Sequence, residues 1–411
     1  MRTIVFLDCH KIGSSREAVR AAANMGYSTV LLTDRKAFVD ARAEFEDVDE
    51  MIYTDLSDAK KLVRVIRKLQ SKGHHLKAIV SFIEPHVSKA ARLHNRFCGG
   101  GRLSVDAMAV MEDKVSTRDA LVGTPYNPAY TVYGGRGPVA QLSRSLTYPV
   151  VMKRPGSAGS KDVIRAFSAA QFRHRIRQLT NKYPGQRILI EEYIRGPQYL
   201  VEVLVEDRTI HIIAIVEQHM LNHRGRMIVA GYAVLVSPPR ELLDSLRETV
   251  QDIVMRMGLE NGPCHIELRR RHDGWKVIEI NPRMSGSAMN RMIDFAYGVD
   301  LAEQTLRLYL GKNLHLQAKA FEYVYAQFVT AKETGLLESV EGRAHALNVP
   351  RVREVFIKPT KGQRIQKPKS MGHRYAYVIA SDEDSLELAR RAAERAAGYI
   401  RFRVQEGGEE L

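Results

Sequence analysis

Two β-strands joined by a tight turn constrain this chain more than any other segment. They run over Gly262–Arg270 and Trp275–Asn281 and meet at His272, Asp273 and Gly274. A three-residue hairpin loop commonly takes glycine in its third position. That loop sets Glu267 opposite Glu279 and turns Ile266, Leu268, Ile278 and Ile280 together onto the other face, as a core. Directly opposed carboxylates sit ~4.5–5.5 Å apart at Cβ and repel each other. A hard cation offsets that repulsion. Asn281 falls on the Glu279 face by the period-two rule. Two carboxylates and an amide oxygen suit Mg²⁺, which prefers oxygen ligands and phosphates. The pattern also fits a solvent-facing charged hairpin. His265 and Glu267 imitate the H-x-E of zinc deaminases, but no P-C-x-x-C follows.

The rest of the chain reads as an α/β and α+β multidomain protein. Its 411 residues exceed one ordinary domain. Strands are predicted over Thr3–Asp8, Thr29–Thr33 and Ala78–Phe82. Helices are predicted over Arg16–Met25, with Ser14 and Ser15 as N-caps, and over Asp58–Lys72. This alternation predicts a parallel sheet, with ligands at the carboxyl ends of its strands. Asp8–Ser15, Asp34–Lys36 and Glu84–His86 would then border a crevice. The first strand–helix turn holds only Gly13, so a dinucleotide fingerprint is absent. One helix is predicted over Val105–Leu121. Beyond Pro149 come strands Val150–Lys153 and Ile188–Glu192 around a helix, Ser168–Thr180. Strands Tyr199–Val205, His211–Gln218 and Tyr232–Pro238 follow, then the helix Glu241–Met257. A last region begins near Leu314 and includes the helix Ser385–Arg395.

Charge narrows the partners. The net charge is +15, from 62 Lys and Arg against 47 Asp and Glu. The basic residues are dispersed, without the aromatic-interleaved stripe that binds nucleic acid, so nucleic acid is not expected. Anionic small molecules fit better. Residues 357–374 contain Lys358, Lys361, Arg364, Lys367, Lys369 and Arg374 and no acid. They read as a solvated hairpin or as a cover over phosphates. No apolar run reaches membrane-spanning length and the start reads as a strand, so a cytoplasmic protein is expected. Cys9, Cys98 and Cys264 are scattered, with no CxxC pair. Buried free thiols are expected, with neither a disulfide framework nor a zinc site.

Two further segments carry chemistry. Lys153 ends an apolar strand and meets a Gly/Ser loop, Gly156, Ser157, Ala158, Gly159 and Ser160. A lysine there reaches a phosphate as a point charge, and loop N–H groups fold over phosphate oxygens. The loop does not match the Walker A pattern, and an ordinary turn has the same composition. Glu191, Glu192, Tyr193 and Ile194 end another apolar strand before Gly196, Pro197 and Gln198. Such a hinge can offer backbone groups to adenine and a side chain to ribose; an acidic strand end is the alternative.

Together, in this order and spacing, these segments resemble the ATP-grasp superfamily. Lys114 and Arg118 look like its "DK…R" helix, Lys153 like its second phosphate lysine and Gly156–Ser160 like its lid. Glu191–Ile194 look like its adenine hinge, Glu267, Glu279 and Asn281 like its metal ligands, and Arg283 like the following arginine. The resemblance covers essentially the whole chain. It implies an ATP-grasp fold with an N-terminal parallel α/β domain (1–112), a lid subdomain (113–190), a large subdomain (191–313) and a small C-terminal domain (314–411). Within the superfamily the chain is most similar to L-amino-acid ligases, on Ala78–Glu84 and Met284–Ala288. Gln198 departs from a glutamate that contacts ribose in many members, and the Met284–Ser287 loop is less glycine-rich than expected. The resemblance implies ATP and Mg²⁺, with Mn²⁺ as an alternative ion. It implies an ATP-dependent ligase joining a carboxylate to an amine through an acyl phosphate, and two amino acids as substrates. Lys153 and Arg283 would act on the transferring group. Glu84, Arg283, Ser285 and Gly286 would hold substrate, Glu84 through an ammonium. Glu84 also fits a helix N-terminal acid. A homodimer is compatible with the family. An ATP-dependent carboxylase and a non-catalytic nucleotide-binding protein are the competing readings.

Overall fold

The computed structural model describes residues 1–156, 163–223, 226–368 and 371–405. The N-terminal sheet is parallel, in the order Glu50–Tyr53, Ser28–Thr33, Arg2–Leu7 and His75–Val80. Its strands are apolar runs because helices cover both faces. The edge strand Glu50–Tyr53 carries charge and escapes an apolar-run search. The first helix spans Ser14–Asn24 and starts two residues earlier than expected. Its N-cap is Gly13, not a serine; the Ser15 hydroxyl instead accepts from the His10 N–H at 2.9 Å.

An antiparallel sheet of eight strands forms the centre. Its order is Gly274–Asn281, Gly262–Arg271, Gln198–Glu206, Thr209–His223, Arg226–Val234, Tyr323–Thr330, Arg374–Asp382 and Val352–Ile357. Strands on both sides of residue 314 therefore share one sheet. A four-stranded antiparallel sheet, Tyr130–Tyr133, Ile188–Glu192, Val150–Lys153 and Ile164–Ala166, packs its own small core against the helix Ala169–Lys182. A three-stranded sheet closes the C-terminal end.

Three expectations change. The helix predicted over Val105–Leu121 is two helices, Val105–Glu112 and Lys114–Ala120. Asp113 breaks it by turning extended and accepting from the Ser116 N–H at 2.8 Å, an N-cap inside an apolar pattern. The strand predicted over Tyr232–Pro238 lies at Arg226–Val234, because it pairs with the much longer strand Thr209–His223. Cys9 and Cys264 are buried free thiols as expected, but Cys98 is only half-buried, at the end of the helix Val87–Phe97. Among the described residues no helix is long and apolar enough to cross a membrane.

Candidate active site

The hairpin pairs Glu267 with Glu279, as its alternation predicts, but by a different route. Arg271 pairs with Gly274, so the turn holds two residues, not three. A β-bulge between Glu267 and Leu268 then restores the register by leaving Ile278 unpaired. Ile278 is accordingly not a core residue; Val277 takes its place, fully buried against the core. Bulges bend a strand and re-aim its groups. Here the released Ile278 carbonyl accepts from Arg118 Nη2 at 2.8 Å and from Lys153 Nζ at 3.4 Å.

The polar face of the hairpin continues onto the next strand as three rungs. Glu202, His265 and Asn281 lie side by side; Leu200, Glu267 and Glu279 form the second rung, and Gln198, Arg269 and Lys276 the third. Glu267 accepts from Gln198 Nε2 at 2.8 Å and lies 3.5 Å from His265 Nε2. His265 Nδ1 is 2.7 Å from buried Glu202, whose other oxygen accepts from the Ser285 N–H at 3.1 Å. Burial acts against a charged imidazole, but Glu202 and then Glu267 outweigh it and push His265 up to about 10. Gln198 is thus committed to Glu267, and its carbonyl accepts from Arg269 Nε at 3.0 Å.

Two lysines face this ladder. Lys114, the first residue of its helix, lies 3.2 Å from Glu279. Burial would raise the Glu279 carboxyl, but Lys114, Lys153 and Arg283 hold it below the usual range. Lys153 lies 2.6 Å from Glu191, which Arg118 Nε also reaches at 2.5 Å. Burial is the main influence on Lys153 and lowers it; it would raise Glu191, where Arg118 and Lys153 prevail and lower the carboxyl. The Glu191 side chain is therefore enclosed, unavailable as a ribose contact. Arg118 Nη1 is buried with no hydrogen-bond partner.

The hinge is set by Gly196, at φ 124°; a Cβ there would stand 2.1 Å from the Arg270 carbonyl oxygen. Glu192 accepts from the Ala129 N–H at 3.0 Å, and the Tyr193 N–H donates to the Pro149 carbonyl at 3.0 Å. Arg269 Nη1 donates to the Ile194 carbonyl at 2.5 Å. Gly156 is exposed beside Lys153; Ser157, Ala158, Gly159 and Ser160 lie outside the described residues.

The N-terminal sheet meets the same face. Glu84 is 2.9 Å from Arg283, whose Nη1 donates to the Met284 carbonyl at 3.0 Å. The amide end of Asn281 lies 2.7 Å from Glu84 and 3.2 Å from Glu279; its NH₂ placed there donates to both. Gly13 abuts the backbone of Ser287, while Gly286 is open on all sides. Glu202 and His265 are site residues to which the resemblance assigned no part; Arg118 entered it only as the arginine of the "DK…R" helix. Among the described residues no group of three His, Cys, Asp or Glu side chains converges as a metal cluster. The donor set of two carboxylates and one amide nonetheless fits a hard cation by its chemistry, since Glu267 pairs directly with Glu279 and Asn281 lies on the next rung of the same face.

This mixed fold, with its separate four-stranded sheet, is the ATP-grasp fold, and three family models match parts of the chain. Models described as an ATP-grasp domain and an ATP-grasp N-terminal domain match residues 146–291 and 19–97. The C-terminal region matches a model described as L-amino acid ligase C-terminal domain 2, over residues 327–405. The crystal structure of an L-amino acid ligase from Bacillus licheniformis has a TM-score of 0.81 at 18% identity, covering 99% of each chain. The biotin carboxylase domain of a Hydrogenobacter thermophilus 2-oxoglutarate carboxylase, solved with MgADP and bicarbonate, has a TM-score of 0.72 at 17% identity, covering 98% of this chain and 91% of its own. An uncharacterized protein from Sinorhizobium fredii is 26% identical over 269 residues, 64% of this chain. The match takes in 54% of that relative, about half its length.

Proposed function

We propose that the chain is an ATP-dependent carboxylate–amine ligase that joins two L-amino acids through an acyl phosphate. One observation carries the reading: an anion-rich ladder, Glu267 and Glu279 with Asn281, faces a cation-rich wall, Lys114, Lys153 and Arg118. A metal–nucleotide complex presents the complementary charges. The buried, unpartnered Nη1 of Arg118 is a further donor available to an anion.

Phosphoryl transfer needs alignment and charge neutralisation more than covalent help. Glu267, Glu279 and Asn281 would hold Mg²⁺, or Mn²⁺ in its place, and the ion would neutralise adjacent phosphate oxygens. Lys114 and Lys153 would exchange their carboxylate partners for phosphate oxygens. The hinge Glu191–Ile194 would carry adenine on its backbone, and Gln198 would serve ribose only by leaving Glu267. Gly156–Ser160 would cover the phosphates and exclude water, which hydrolyses acyl phosphates. A substrate carboxylate oxygen attacks the γ-phosphorus and ADP leaves. The amine of the second substrate attacks the acyl carbon, loses a proton and expels phosphate. Arg283 would stabilise the developing oxyanion. Glu84 would take the substrate ammonium in place of its bond to Arg283, beside Ser285 and Gly286. The division at residues 112, 190 and 313, a cytoplasmic location and a homodimer belong to the same proposal; sedimentation of the full chain tests the last.

The carboxylase likeness makes bicarbonate the rival acid. ADP release should rise with pairs of free amino acids, and the product mass should equal their sum less one water. Stimulation by bicarbonate alone, or by no acid–amine pair, would overturn the ligase reading.

A further inference from the structure

A second cavity lies at the amino-terminal ends of the parallel strands, the opposite edge from Glu84 and the crevice. Its volume is about 460 Å³. Arg2 opens the first strand, Tyr27 immediately precedes the second, and His75 opens the fourth in register with Arg2. Lys77 shares the exposed face of that strand with His75. Lys312 follows the helix Leu301–Tyr309, and Gly100 completes the wall. No acidic residue among the described residues lines the cavity.

Two of the cations are held by Tyr27, which is buried: Arg2 lies 4.7 Å from its ring centroid and Lys312 at 5.3 Å. Arg2 Nη2 also donates to the Tyr27 hydroxyl at 2.7 Å. Gly100 packs so closely on the helix end that a Cβ would stand 2.3 Å from the Tyr309 carbonyl oxygen. Three permanent cations thus converge on one hollow with no carboxylate to neutralise them. Their repulsion is unfavourable until an anion enters, and a guanidinium beside ammonium groups matches phosphate oxygens. The volume suits a small metabolite.

We propose that this cavity binds a phosphoryl dianion, at a site separate from the catalytic crevice. Free phosphate and a phosphate monoester share that chemistry. The test is calorimetric titration of the full chain at neutral pH with inorganic phosphate, glycerol 3-phosphate and sulfate. Wild-type protein should bind a phosphoryl probe saturably, and Arg2→Gln/Lys312→Gln should weaken it by at least about tenfold, as loss of charge-assisted hydrogen bonds implies. Lys153→Met, altered in the crevice, should keep that binding. Lys77→Gln, an exposed change, should weaken it in the same direction should the double variant fold poorly. Tighter binding of the monoester identifies a metabolite site; equal binding identifies a free-phosphate site. No saturable binding, equal binding of sulfate, or binding lost in Lys153→Met but kept in Arg2→Gln/Lys312→Gln would each overturn the proposal.

Discussion

Two ion clusters in the crevice use the same residue types and reach opposite balances. Around Glu191, two cations enclose one carboxylate at 2.5 and 2.6 Å. Around Glu279, one lysine at 3.2 Å serves a carboxylate that faces another, Glu267. The first cluster is closed and joins three segments distant in sequence. The second sets two carboxylates face to face, with Lys153 and Arg283 acting on Glu279 along with Lys114. Burying an ion pair is costly unless geometry and hydrogen bonds are complete. The Glu191 cluster meets that condition except at the buried Nη1 of Arg118, which has no partner; a bound cation would offset the pairing of Glu267 with Glu279. The bulged Ile278 carbonyl, which binds both Arg118 and Lys153, is the joint between them.

Substitutions break this comparison to different degrees. Lys153→Met removes a cation from the closed cluster and a phosphate contact together, and should lower kcat for ADP release roughly 10²–10³-fold. A loss confined to KM for ATP would assign the lysine to binding alone. His265→Gln leaves both clusters charged but removes the donor that links Glu202 to Glu267. Residues that orient a metal ligand typically contribute about 10–100-fold in metal affinity. The expected result is a rise of that size in the Mg²⁺ concentration needed for half-maximal activity, together with a lower melting temperature because buried Glu202 loses its charged partner.

Glu84→Gln separates the substrate side from the nucleotide side. KM for one amino acid should rise about tenfold, the scale of one charged hydrogen bond, while KM for ATP stays within about twofold. Unchanged amino-acid KM values would leave Glu84 as a partner of Arg283 only. Glu17 supplies a third kind of carboxylate: it accepts from the Asn290 amide at 2.8 Å instead of from a cation. Burial, against that hydrogen bond, pushes it up from 4.5 to about 7. The folded state therefore keeps a proton that the unfolded chain gives up first. Its stabilising contribution is present in full below pH 4.5, is lost as pH rises to about 7 and is flat above. Glu17→Gln should flatten that part of the denaturation midpoint profile.

The ladder was legible in sequence because alternation survives along a strand. Glu267, Glu279 and Asn281 share a face as the period of two requires. The turn was not legible: His272, Asp273 and Gly274 fit a three-residue loop, and only pairing shows two loop residues and a compensating bulge. Glu202 was invisible for another reason. Its rung with His265 exists because Gln198–Glu206 pairs with Gly262–Arg271, a choice no local pattern records. The same holds for the Glu84–Arg283 bond, which joins separate sheets. Asp113 shows the reverse case, a cap that the apolar pattern of Val105–Leu121 concealed.

The central claim is that this crevice activates a carboxylate as an acyl phosphate. Incubation of the full chain with ATP, Mg²⁺, one amino acid and hydroxylamine tests it directly, because hydroxylamine captures such an intermediate. The account predicts an amino-acid hydroxamate formed in equal amount to ADP, and none with Lys153→Met. Release of AMP and pyrophosphate, or ADP release without any hydroxamate across the amino acids, would contradict it.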